Sequence, residues 1–291
     1  KKVVTFVRRD ALAHLPAPAP LHFIFHSAFC CSTMLARALD VPGVVMALKE
    51  PMILNDLVGI RHRGVLSPPE FAVRLADVLR LLARPFGAGE AVVIKPSNVA
   101  NALAPAMMKL NPDARALLLT APLGIFLKSI VKKGLDGRLW VRDLLVKLIT
   151  DNIIDLGFTP EDYLRLTDLQ AAAVGWLAQH ALFGRMAAQF GPARVITLDS
   201  ETLMARPFDT VTALTAHFGL ALSAAQVSEI VNGDAFTTHS KTGADFSAAE
   251  RTAEYDAAAN AHRDEIDKVE QWAAAVAANA GVSLKLPASL L

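Results

Sequence analysis

The sequence predicts a three-layer α/β/α fold around a mostly parallel sheet. Three observations point to it. Short apolar runs recur along the 291 residues, and most are near-continuous rather than alternating, as in strands covered on both faces. Stretches with helical spacing separate these runs, and that alternation is the pattern of an α/β domain. One run, HFIF at residues 22 to 25, leads through a short irregular stretch into a helix start at Ser32-Thr33. In open α/β sheets such strand ends are where ligands sit.

Taken in order, VVTFV (3 to 7) and HFIF are short and rich in β-branched or aromatic residues, with the stiff PAPAP between them. GVVMAL (43 to 48), AVVIK (91 to 95), ARALLLT (114 to 120) and ARVITL (193 to 198) continue the strands. Helices fill the gaps. STMLARALD follows the loop. SPPEFAVRLADVLRLLARPF has Ser67 as a cap, two early prolines and Leu/Val at helical spacing. NALAPAMMKLN comes next. The stretch from Phe126 to Ile153 holds two glycines near its middle, so two helices are expected there. The stretch from Thr159 to Phe190 is helical with an interruption near Thr167, and PFDTVTALTAHFG and AAQVSEIVN follow. A polar loop is expected around 233 to 247, and a final helix closes the chain. No internal repeat is visible. The expected organisation is one domain over 1–291, with a helical C-terminal extension from about residue 222.

Composition narrows the function classes. A hydrophobic share of 53% and a charged share of 20% describe a globular chain with a sizeable core. The net charge of +1 and pI of about 8.0 lack the basic excess of a nucleic-acid binder. The basic cluster Lys128, Lys132, Lys133, Arg138 and Arg142 reads equally as a solvated helix face. The two cysteines, Cys30 and Cys31, are adjacent and fit neither an ordinary structural disulfide nor a zinc motif. The chain therefore has no disulfide framework, which suits a reducing compartment. KKVVTFVRRD has basic residues on both sides of a very short apolar run, unlike a secretory leader. The lack of an initial Met suggests a trimmed or incomplete N-terminus. Mean hydropathy is high at +0.36, yet ALLLTAPLGIFLKSIV is broken by Pro122 and Lys128. It falls short of the roughly 20 apolar residues of a membrane span. A soluble, cytoplasmic protein is expected.

The stretch HFIFHSAFCCSTML has the layout of a P-loop without its usual residues. A P-loop holds phosphate mainly through backbone N–H groups and the positive end of the following helix, so most side chains there are negotiable. Ser32 and Thr33 supply hydroxyls, and Ser27, Ala28, Cys30 and Cys31 leave the backbone accessible. No glycine and no lysine lie between His26 and Thr33, and no Walker B aspartate is evident. A conventional kinase or ATPase is thereby disfavoured.

Other segments carry a family resemblance. In VVIKPSNVANALAPAMMKLNPDARALLLTAP (92 to 122), Lys95, Asn98, Pro112, Asp113, Ala114, Arg115 and Pro122 occur in the order seen in the middle of bacterial P-loop sulfotransferases. VITLDSETLMARPFDTVTALTAHFGL (195 to 220), with Asp199, Ser200, Glu201, Thr202 and Leu203 at the strand end, resembles a later segment of that family. LKEPMILND is similar to the stretch after its second strand. The resemblance covers most of residues 20 to 222 and implies a P-loop, sulfotransferase-like fold. It further implies transfer of a sulfuryl group from PAPS, leaving PAP, to a hydroxyl or amine of a small acceptor, with no metal.

The resemblance places the cofactor on Ser27, Ala28, Phe29, Cys30, Cys31, Ser32, Thr33, Thr120 and Ser129. The departures are specific. Phe29 stands where the family has a loop cation, Cys31 where it has a glycine, and Thr120 where an arginine grips the 3′-phosphate. Ser129 takes the place of the second 3′-phosphate ligand, about one residue further along. A charged hydrogen bond is worth roughly 1.5 to 3 kcal/mol, so two lost cations weaken binding by about two to four decades unless replaced. Lys95, Lys49, Lys128, Lys132, Lys133 and Arg138 are the available replacements. For the base, Glu50 comes first and His26 second, since each sits at a strand end and can take an acceptor proton. Lys95 completes the candidate catalytic set. His62, His239 and Lys241 are more distant candidates for an anionic acceptor or a late loop, and Trp140, Trp176 and Trp272 are expected in the core. Two alternatives stand beside the enzyme: a degenerate fold that binds a nucleotide or anion without turnover, and a phosphotransferase on the same scaffold. No motif names the acceptor or an oligomeric state.

Overall fold

The computed structural model describes residues 17–237 and 248–291. The expected strand at 3 to 7, and His239 and Lys241, lie outside the described residues.

Five strands form one sheet: β1 (Leu21–His26), β2 (Val45–Lys49), β3 (Ala91–Lys95), β4 (Ala116–Thr120) and β5 (Val195–Asp199). Their order is β2-β3-β1-β4-β5, and every pair is parallel. The helices are α1 (Ser32–Ala38), α2 (Met52–His62), α3 (Pro68–Leu82), α4 (Ala104–Leu110), α5 (Leu123–Lys132), α6 (Gly134–Thr150), α7 (Pro160–Arg165), α8 (Asp168–Phe190), α9 (Ser200–Ala205), α10 (Pro207–Phe218), α11 (Ala224–Asn232), α12 (Asp234–Thr237) and α13 (Ala248–Asn279). A 3-10 stretch over Asn98–Leu103 precedes α4.

Successive side chains on a strand point to opposite faces. Here both faces are covered, which is why the strands read as continuous apolar runs. Ile24, Val93, Leu117, Leu119, Ile196 and Leu198 pack with α1, α5, α10 and α13. Phe23, Phe25, Val92, Ile94, Ala116 and Leu118 pack with α2, α3 and α4. The first half of α8 joins one core and its last half the other. The result is the three-layer α/β/α architecture.

Local chemistry explains several helix ends. Ser67 and Glu70 form a capping box at α3, and Thr167 with Gln170 forms another at α8, where the interruption was expected. The break between α5 and α6 falls at Gly134, whose φ of 58° suits a residue without Cβ. Three findings differ from expectation. Residues 49 to 66 carry no expected element, yet α2 lies there, burying only Leu54, Leu57 and Val58. So narrow an apolar stripe, interrupted by Asn55, Asp56 and Gly59, hides the helical period. The polar stretch after 233 begins as the short helix α12. The C-terminal extension does not end as helix. Its tail returns to β5: Thr197 N–H donates to Ala288 O at 2.9 Å and Leu290 N–H donates to Thr197 O at 2.9 Å. The tail thus pairs the exposed edge of β5.

The strand order reverses at β1. The chain leaves β1 for β2 and β3 on one side, then crosses over to β4 and β5 on the other. The crevice outside the carboxyl ends of the strands at such a point is the usual ligand site of an open α/β sheet. Residues 27 to 31, which join β1 to α1, lie there. Among the described residues, no helix is long and apolar enough to cross a membrane.

Candidate functional site

The loop from Ser27 to Cys31 has an unusual backbone. Ala28, Phe29 and Cys31 adopt φ of 74°, 51° and 61°. Such left-handed conformations cost a residue with a Cβ about 1 to 2 kcal/mol. The surrounding structure compensates through bonds at the base of the loop. Ala28 N–H donates to Nδ1 of His26 at 3.1 Å, so the ring carries its proton on Nε2, which donates to Pro96 O at 3.0 Å. Ser27 N–H donates to Leu119 O at 3.1 Å, and Ser27 Oγ accepts from Ala121 N–H at 3.2 Å. The loop is therefore tied to the ends of both β3 and β4. His26 is buried and shapes the loop with both ring nitrogens.

A layer of buried amides lies underneath. Asn101 Nδ2 donates to His26 O at 2.9 Å and to Gln179 Oε1 at 2.9 Å. Gln179 Nε2 donates to Gly175 O at 3.1 Å. Trp176 Nε1 donates to Ala121 O at 2.9 Å. Asn101 and Gln179 are fully buried; sequence reasoning takes Gln179 as a sign of a buried helix but gives neither residue a part at the loop. The available signal was two asparagines within the apolar run around Ala100, and one glutamine in the uncharged middle of α8.

Lys95 ends β3 beside this loop. Its side chain is 1% exposed, and it is ion-paired with Glu50, whose side chain is 48% exposed. Glu50 is itself left-handed, with φ 50°, and its N–H donates to Lys95 O at 2.7 Å. The turn after β2 thus folds the glutamate back onto the lysine of the neighbouring strand. Lys49, opposite Lys95 in register, is exposed.

The loop side chains divide sharply. Cys30 is fully buried. Burial, with Cys31 beside it, pushes its thiol up to about 11 against the pull of Lys95 and Ser32, so Cys30 is a neutral thiol at neutral pH. Ala28 and Ser32 are buried, while Cys31 and Thr33 are half-buried. The Phe29 ring meets Phe126 edge-on at 5.7 Å and Trp140 at 5.4 Å, and Lys133 Nζ lies 5.8 Å from its centroid.

On the β4 side, Thr120 is buried at the strand end. Ser129 is buried in α5, where its Oγ donates to Ile125 O at 2.8 Å. Arg138 pairs with Glu265 at 3.4 Å and Asp168 at 3.7 Å, and Arg142 pairs with Asp168 at 2.5 Å. These two arginines tie α6 to α8 and α13 rather than serving the loop. His62 is likewise elsewhere. Its Nε2 lies 2.5 Å from the buried Asp151, which also pairs with Arg61. This clamp holds the far end of α2, about 15 Å of helix from Glu50. Trp176 is buried as expected, whereas Trp140 and Trp272 sit half-buried at the core margin. Asp199 caps α9, accepting from the N–H groups of Glu201 at 3.0 Å and Thr202 at 2.9 Å.

The structure thus gathers His26, Ser27 to Thr33, Glu50 and Lys95 around the carboxyl ends of β1, β2 and β3, with Lys133 approaching through Phe29. No protein-family model matches the chain, and no curated protein does. Among solved structures, it is similar to the sulfotransferase domain of the curacin biosynthetic pathway at 13% identity and a TM-score of 0.47, covering 77% of this chain and 82% of that one. It is also similar to sulfotransferase STF1 of Mycobacterium tuberculosis H37Rv at 15% identity and a TM-score of 0.46, covering 85% and 79%. Sulfotransferase STF9 of Mycobacterium avium gives 12% identity and a TM-score of 0.46, covering 87% and 79%. Likeness at this level assigns neither family nor activity, so a functional reading rests on the residues gathered at the strand ends.

Proposed function

We propose that the chain is a sulfotransferase-like protein that binds PAPS at the loop Ser27–Thr33 and acts on a hydroxyl or amine of a small acceptor. The observation that carries this reading is Lys95, a buried ammonium at the switch point of the sheet, partnered by a half-exposed acid on a left-handed residue. Burying a lysine is costly unless it is paired. Strained residues and buried charges concentrate where a site has to be pre-organised.

The residues suit the sulfate end of such a ligand. Left-handed residues at 28, 29 and 31, just before α1, turn the backbone of the loop sharply enough for its amides to form a concavity of the anion-binding kind. Lys95 supplies a cation at one side, and Lys133, held over Phe29, supplies another. The 3′-phosphate end is furnished by the neutral Thr120 and Ser129. PAPS, when bound, supplies an activated sulfuryl group. Glu50 then takes the acceptor's proton, Lys95 offsets anionic charge, and His26 holds the loop in shape. In this reading residues 1–291 form one sulfotransferase-like domain of a cytoplasmic protein.

Phe29 in the loop and Thr120 in place of an arginine favour a second reading, in which the crevice binds a nucleotide or anion without turnover. A phosphotransferase is the third, weakened by the lack of a lysine in the loop. Thermal stability with PAP, ATP, ADP and sulfate at matched ionic strength separates them. A ligand at about 100 times its dissociation constant stabilises by roughly 2.7 kcal/mol. A selective rise with PAP supports the proposal. A response to ATP alone indicates the phosphotransferase, and no response to millimolar PAP overturns PAPS binding. If PAP binds, loss of turnover in Lys95→Ala marks an enzyme, while no detectable turnover in a broad acceptor screen marks the binding protein.

A further inference from the structure

Lys95 and Glu50 are partners of unequal freedom. The lysine side chain is 1% exposed and the glutamate side chain 48% exposed. The ammonium cannot retreat to water, but the carboxylate can. Glu50 is also held by its backbone, through its N–H on Lys95 O at 2.7 Å. Its side chain can therefore swing while the residue stays in place.

A buried ammonium needs an anion beside it. Glu50 fills that need. An anion settling in the crevice brings a second negative charge to the same ammonium. Two anions then compete for one cation, and the one able to solvate itself elsewhere is displaced. Ser27, Ala28, Cys30 and Ser32 offer no carboxylate that could take its place, and His26 is already committed to Ala28 and Pro96.

We infer that the Glu50–Lys95 ion pair is an exchange latch: an anionic donor arriving at the loop takes over Lys95 and releases Glu50 into the crevice as the base. This rests on the anion-binding reading given above and adds an order to it. The base is occupied until the donor is bound, so an acceptor arriving first meets a carboxylate whose charge is already spent on Lys95. Linkage makes the effect reciprocal: whatever Glu50 costs the anion, the anion costs the ion pair.

The test is calorimetric titration of PAP and, separately, inorganic sulfate into the wild type, Glu50→Gln, Glu50→Asp and Lys95→Met. Removing the competing carboxylate should tighten anion binding by about tenfold, within the usual range of coupling between two sites. Glu50→Asp keeps the charge with a shorter reach and should fall between the wild type and Glu50→Gln. It also preserves the test if Glu50→Gln folds poorly. Lys95→Met should bind neither anion. Equal or weaker affinity in both Glu50 variants overturns the latch, whichever anion is used. Sulfate binding that tightens in the Glu50 variants, with no PAP binding in any protein, keeps the latch and removes PAPS. Failure of every protein to bind either anion removes both.

Discussion

Phe29 brings a distant lysine to the loop. Where the resemblance expects a cation in the loop, an aromatic ring stands on a left-handed residue with its edge against Phe126 and Trp140. The face of the ring carries Lys133, delivered from the junction of α5 and α6. An exposed cation–π contact is worth about 0.5 to 1 kcal/mol, so Lys133→Ala should shift the urea midpoint only slightly. If the lysine serves the crevice, the same change should weaken sulfate or PAP binding by about tenfold, the value of one charged hydrogen bond at the low end of its range. Unchanged affinity in Lys133→Ala would reduce the contact to packing. Phe29→Ala should do both, losing ring contacts and affinity together. The sequence shows the substitution at 29 and the lysine at 133, but not their meeting, because the ring face is reached across more than 100 residues of chain.

The α5–α6 junction places Lys133 and Trp140, and two glycines allow it. Gly134 takes φ 58°, and a Cβ on Gly137 would lie 2.6 Å from Ile130 O and 2.8 Å from Lys133 Cβ. Alanine is favoured over glycine inside a helix by about 1 kcal/mol. At Gly137 the clash is with backbone that cannot yield, so Gly137→Ala should destabilise by about 1 to 3 kcal/mol despite that preference. Gly175 in α8 is the control. Its added Cβ would meet only Leu148 Cδ1, at an ordinary 3.6 Å, so Gly175→Ala should be neutral or stabilising by up to about 1 kcal/mol. Equilibrium urea unfolding of both variants decides, and the same sign at both sites would refute the argument. Breaks of this kind are legible beforehand, since glycine pairs and capping boxes are local. The helix α2 was not, because three buried residues in eleven do not make a clear period. The tail on β5 was not, because KLPASLL carries no strand signal until β5 offers it a partner. Likewise Glu50, Lys95 and the loop were visible as strand-end residues, whereas Asn101 and Gln179 are uncharged amides that only the fold makes neighbours.

At the scale of the whole molecule, the sheet order and the stacking of the layers depend on contacts far apart in sequence, and two buried histidines report on them. His22 in β1 stacks on Phe218 of α10 at 5.1 Å and accepts from Arg115 N–H at 3.2 Å through Nδ1. Burial, with Arg115 and His217 nearby, brings its pKa down to about 4. His180 in α8 stacks on Trp176 at 4.1 Å, and its Nε2 donates to Leu284 O at 3.1 Å, joining the chain's tail to α8. Burial lowers it to about 4 as well, although the bond to Leu284 opposes the shift. In the unfolded chain both return to about 6.5. Between pH 6.5 and 4 the unfolded state therefore binds protons that the folded state refuses. The contribution of these two histidines to stability is complete above pH 6.5 and falls with acidification through that window, by about 3 kcal/mol for each at one pKa unit per 1.36 kcal/mol. Carboxylates also weaken the fold in acid, so the informative quantity is a difference. The double variant His22→Gln, His180→Gln should be less stable than the wild type at pH 7 but should lose less on going to pH 4.5. Urea midpoints measured across that range test this directly. Parallel pH profiles for the two proteins would mean that these histidines are not the neutral, buried links between β1, α8 and the tail that the structure makes them.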